Sequence, residues 1–95
     1  MLHTLINSPF RCDFTALLRL LAEGDDVLLI QDGVLAALQS SQHLASLLNA
    51  PISVYVLQED VNARGLSAQI SSSVMTVSYT DFVALTVKNP QQMTW

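Results

Sequence analysis

Val27-Leu28-Leu29-Ile30-Gln31-Asp32-Gly33-Val34-Leu35-Ala36-Ala37-Leu38 decides the fold of this chain. Four apolar residues in a row, too few for a helix of normal length, read as a strand buried on both faces. Gln31-Asp32-Gly33 breaks the run with turn chemistry, and the Ala/Leu stretch beyond it reads as a helix. A buried strand, a tight turn and a helix make half of a βαβ unit. The turn then lies at the carboxyl end of the strand, the edge where open α/β sheets hold their ligands.

The same alternation extends in both directions. Residues 1–6 predict a first strand, closed by Asn7-Ser8-Pro9. Phe14, Leu17, Leu18 and Leu21 recur at helical spacing and predict a helix over 13–22, with Asp13 as its N-cap and Gly24 as its stop. Beyond the second strand, the helical segment starting near Asp32 loses its apolar pattern at 39–42. Leu44, Leu47 and Leu48 resume it up to Asn49-Ala50-Pro51. Residues 52–57 are β-branched and aromatic and predict a third strand. Glu59 and Asp60 suit a helix start, and Arg64-Gly65 its end. A fourth strand over 74–77 and a helix over 80–88 complete the series, with Pro90 just beyond. The expected fold class is α/β: one small domain over residues 1–95, a mainly parallel sheet flanked by helices.

Composition points to an assembly. Of 95 residues, 51% are hydrophobic and only 13% are charged, against about 25% charged in an ordinary soluble domain. So little charge covers a small surface poorly, and an interface with other chains resolves the deficit. The net charge is −4. Arg11, Arg19, Arg64 and Lys88 are scattered, which argues against direct nucleic-acid binding. No apolar run is long enough for a membrane span, and the first nine residues lack a signal-peptide pattern. A single cysteine forms no internal disulfide, and a cytoplasmic location is the expectation.

Few residues offer chemistry. Cys12 precedes the first helix, where the helix dipole and Arg11 would lower its thiol pKa while Asp13 opposes both. His3 lies within the first strand and reads as a hydrogen-bonded core or edge histidine, whereas His43 reads as solvated. No spacing of Cys and His suits a metal, and no phosphate-binding glycine motif implies a nucleotide cofactor. Asp32-Gly33 reads as a turn rather than a ligand site. The last helix carries Tyr79, Phe82, Val83, Leu85 and Val87 around more than one stripe, so a partner is expected to cover part of it. Tyr79, Phe82, Leu85, Met93 and Trp95 are the candidate interface residues. Terminal Trp95 suits either an interface or folding back over the domain.

An ordered set of short motifs spans almost the whole chain: Met1-Leu2-His3-Thr4-Leu5, Ser8-Pro9-Phe10, Leu18-Arg19-Leu20-Leu21, Glu23-Gly24-Asp25, Leu29-Ile30-Gln31-Asp32-Gly33, Asn49-Ala50-Pro51-Ile52, Ala63-Arg64-Gly65-Leu66, Tyr79-Thr80-Asp81-Phe82-Val83 and Gln92-Met93-Thr94-Trp95. With these residues the chain resembles the DsrH-like family, the B-type subunits of bacterial sulfur relays that 2-thiolate the tRNA wobble uridine. The resemblance implies a DsrE/F/H-type α/β fold and assembly with homologous C and D subunits, two B–C–D trimers forming a hexamer that meets sulfur-carrier proteins. It implies that the sulfur-accepting cysteine belongs to the D subunit. Some sulfur-oxidation relatives carry a cysteine within the first helix; the corresponding stretch here, near Leu17-Leu18-Arg19, has none, and Cys12 lies several residues earlier. The implied role is a non-catalytic structural subunit. The alternatives are a persulfide-carrying subunit using Cys12 and a small ligand-binding module using the Asp32-Gly33 edge.

Overall fold

A computed structural model describes residues 1–95. Strands β1 (Leu2–Leu5), β2 (Asp26–Leu29), β3 (Ser53–Leu57), β4 (Met75–Val77) and β5 (Gln92–Thr94) form one sheet in the order β4-β3-β2-β1-β5. Every pairing is parallel. Helices α1 (Phe14–Leu20), α2 (Gln42–Leu48), α3 (Gln58–Ala63) and α4 (Tyr79–Lys88) lie between them, with a 3₁₀ helix over Gln31–Ala37.

The handedness of parallel crossovers places the helices. From β1 to β4 the chain steps one strand at a time toward the same edge, so right-handed connections stack on one face. The larger core lies there, built from Leu5, Val27, Leu29, Val54 and Val56 of the sheet with Phe14, Leu17, Val34, Leu44, Leu47 and Val61. The last connection runs the opposite way, from β4 across the whole sheet to β5. Its helix must cross the other face, and Leu85 of α4 does so in a smaller core with Leu2, Leu28 and Val77. One ten-residue helix thus covers a face of five strands.

Local chemistry fixes the elements. The Asp13 side chain accepts from the Ala16 amide and caps α1. Ser78 and Asp81 form a reciprocal capping box at α4. Gly65, at φ +65°, closes α3: its amide donates to Asn62 and the Leu66 amide to Val61, a Schellman ending.

Two expectations need correction. The segment after Asp32-Gly33 is helical but 3₁₀, and the reason is its period. Gly33/Ala36 and Val34/Ala37 are buried pairs three residues apart, which matches three residues per turn. Residues 92–94, beyond the last element the sequence predicts, form a fifth strand. Its burden of Gln, Met and Thr carries no buried alternation, and all three side chains are exposed; pairing with β1 makes it a strand.

Candidate functional site

Cys12 sits in the loop between β1 and α1, half-buried against the larger core. Its thiol pKa is raised, first by burial and further by the Asp13 carboxylate, against the pull of a backbone hydrogen bond. The expected lowering by the helix dipole and Arg11 does not prevail. The first turn of α1 is already occupied by Asp13, and a desolvated thiolate loses the water that would stabilise it. Thiol, not thiolate, is the resting form.

Beside this loop Phe10 stands 80% exposed. It overhangs an open cleft of about 430 Å³ lined with Leu35, Leu38, Ser41 and His43. His43 is not free in solvent as its polar neighbours suggested. Its ring is half-buried and meets Phe10 and Phe14 edge-on, with centroids 4.9 and 4.7 Å away. Leu35 in the 3₁₀ helix and Leu38 at its C-cap, three residues apart, are only partly buried and reach the cleft.

The Asp32-Gly33 edge is structural. Gly33 packs so tightly on Leu5 that a Cβ there would lie 2.0 Å from the Leu5 carbonyl oxygen. Gln31 holds φ at +50°, its amide donating to Asp60 Oδ2 at 2.7 Å. Arg64 Nη2 pairs with Asp32 Oδ1 at 3.1 Å. The strand order reverses between β1 and β5, the position where open α/β sheets form a ligand crevice. Trp95 fills that position: its carbonyl accepts from the Ile6 and Asn7 amides and from the Asn7 side chain.

A polar cluster lies toward the amino ends of β1 and β2. His3 is fully buried, and its Nε2 lies 3.1 Å from Asp25 Oδ2, as the reading of a hydrogen-bonded core histidine requires. Asp25 also accepts from the Met1 amino group and the Ala22 amide. On the other face of the sheet, Asp26 accepts from Lys88 and Asn89. Lys88 Nζ is 3.1 Å from the carboxylate, and this hydrogen bond raises the lysine pKa. Sequence reading missed both clusters, although Asp25-Asp26 directly before an apolar strand was a visible signal: buried carboxylates need partners.

The five candidate interface residues do not share one role. Leu85 is buried in the smaller core, and Phe82 leans on that core. Trp95 packs against the larger core, with its indole over His3. Met93 is exposed on β5, whose partner on the sheet is β1. Tyr79 is 63% exposed at the start of α4. Two residues outside the set join it: Val83, 47% exposed, and Val87, 79% exposed. Tyr79, Val83 and Val87 are four residues apart and form one outward apolar stripe.

No group of three or more His, Cys, Asp or Glu side chains is arranged to hold a metal ion. No helix is long and apolar enough to cross a membrane.

Parallel order, a single helix on the second face and a sheet edge closed by the chain's own residues define a small α/β domain of the DsrH and YchN type. The solved ychN protein from Escherichia coli superposes with a TM-score of 0.80 over 99% of this chain and 97% of that one, at 16% identity. The family model described as DsrH like protein matches residues 7–92, and the chain belongs to that family. Among its relatives, Protein TusB of Erwinia tasmaniensis is 66% identical, and Protein TusB of Escherichia coli K12 is 61% identical, each over the full length of both chains.

Proposed function

We propose that this chain is a structural, non-catalytic subunit of the sulfur relay that leads to 2-thiolation of the tRNA wobble uridine. Membership of the DsrH-like family and full-length similarity to proteins named TusB support its place in that pathway. Its partners in this proposal are C-type and D-type subunits in a hexamer of two B–C–D trimers, in the cytoplasm, with the whole chain acting as a single domain.

The observation that carries the scaffold role is the outward stripe of α4. Tyr79, Val83 and Val87 present apolar side chains at helical spacing on a helix whose other side is already packed on the sheet. Such a row is a helix-packing surface in want of a second helix or sheet. Persulfide relay needs a thiolate that attacks the outer sulfur of the donor persulfide, forming a new S–S bond and releasing the donor as thiolate. A half-buried thiol with a raised pKa is poorly suited to that step.

The test is co-expression with the C-type and D-type partners, followed by light scattering on a sizing column. Wild type should elute as a hetero-oligomer. Tyr79→Glu combined with Val83→Glu should leave a folded chain that no longer joins the other two. If that variant assembles normally, the stripe is not the interface.

A further inference from the structure

The indole of Trp95 can only donate, and its Nε1 lies 3.3 Å from His3 Nδ1. Nδ1 must therefore accept, so Nε2 carries the ring proton and donates to Asp25 Oδ2 at 3.1 Å. The tautomer of this fully buried histidine is set from both sides. The strand leading into Trp95 is three residues long, exposed and at the edge of the sheet. Beyond its ladder with β1, it is held by the Gln92 side chain, which donates to the Thr86 and Asn89 carbonyls, and by what Trp95 touches.

We propose that the Trp95–His3–Asp25 chain is a proton-operated latch on β5. Neutral His3 holds the indole. A second ring proton has one place to go, Nδ1, and there it sets a donor against the donor of Trp95. The bond to Asp25 survives, because Nε2 donates in both states. The whole change falls on the Trp95 side. The charged groups at the ring are the Asp25 carboxylate, which favours the added charge, and the Met1 amino group on that carboxylate's other oxygen, which opposes it. Asp26 and Lys88 pair with each other on the opposite face. Release would free the indole and loosen β5, while the Trp95 backbone keeps its bonds to Thr4, Ile6 and Asn7. This goes beyond the scaffold role, because it makes one edge of the subunit responsive to pH.

Peptide-resolved hydrogen exchange on the full chain, alone and in the assembly it co-purifies with, tests the latch between about pH 8 and 5, the window in which histidines change charge. After correction for intrinsic exchange, protection of residues 92–95 should fall about tenfold, the worth of one lost buried hydrogen bond, while β2 and β3 keep theirs. His3→Gln offers Trp95 an amide oxygen and Asp25 an amide N–H, and should keep residues 92–95 protected throughout. The ¹⁵N resonances of the wild-type His3 ring supply a readout that needs no variant: an Nε2-protonated ring at neutral pH and an imidazolium in acid. A ring that stays neutral until the whole chain unfolds would overturn the proposal. So would an imidazolium with residues 92–95 still fully protected, or protection lost in all strands at once.

Discussion

Gly33→Ala is the sharpest perturbation of the turn that joins β2 to the rest of the fold. A Cβ at residue 33 would sit 2.0 Å from the Leu5 carbonyl oxygen and 2.8 Å from its carbon, whereas real Cβ contacts essentially never fall below 3.0 Å. Both obstacles are backbone, so no side chain can swing aside. The turn must move by about 1 Å, the shortfall between 2.0 and 3.0 Å. Three hydrogen bonds fix it in place: Ile30 N–H to Leu5, and Gly33 N–H shared between Ile30 and Ile6, at 3.0, 2.9 and 3.2 Å. Overpacking of this kind costs about 1–3 kcal/mol, and each weakened bond adds about 1 kcal/mol. A total of about 4–6 kcal/mol follows, a large part of the roughly 5–15 kcal/mol that holds a domain together. Gly24→Ala is the control. Its φ is +85° but nothing lies within 4 Å of the new Cβ, so only the left-handed backbone is penalised, by about 1–2 kcal/mol. Urea unfolding followed by circular dichroism measures both. If Gly33→Ala is no more destabilising than Gly24→Ala, the close approach of the turn to Leu5 is wrong.

Three further outcomes are expected. Asn89→Ala removes a buried donor from Asp26 and should cost about 1–3 kcal/mol in urea unfolding. Asp25 is held below the usual carboxylate range: burial opposes this, but the Ala22 amide, the Met1 amino group and His3 outweigh it. A depressed folded pKa contributes stability that is complete above the unfolded value of about 3.9 and is lost as pH falls through the folded value. Asp25→Asn should therefore flatten the acid limb of a stability–pH curve below about pH 5. The raised pKa of Cys12 predicts slow alkylation by iodoacetamide at neutral pH, increasing further into the alkaline range than for a free thiol. Asp13→Asn keeps an N-cap acceptor while removing the charge, and should speed that alkylation.

Much of the fold is written in short-range pattern. The run at Val27–Ile30 is a central strand within one residue of its reading, and Asp13 and Gly65 act where their chemistry placed them. What stayed hidden depends on distant partners. Gln92-Met93-Thr94 has no strand signal of its own and becomes β5 because β1 offers a free edge. The 3₁₀ segment did announce itself, in the three-residue repeat Gly33-Val34-Leu35 and Ala36-Ala37-Leu38, but helical content alone masks the period. The apolar excess is read as an interface, with α4 as the helix expected to carry part of it. The outward residues on it are Tyr79, Val83 and Val87 rather than Leu85, because only the crossing of α4 over the sheet decides which stripe is covered. Cys12 illustrates the limit of local electrostatics: burial against residues far along the chain overrides the helix start and Arg11.

The scaffold role is tested most directly by measuring tRNA 2-thiouridine in cells whose only copy of this chain carries Cys12→Ser, with the mass of the assembled complex checked in the same cells. The proposed scaffold role predicts an unchanged 2-thiouridine level, because in that role the sulfur is carried by other subunits. A level as low as in cells lacking the chain, with the complex still whole, would make Cys12 a station on the relay and contradict the non-catalytic role.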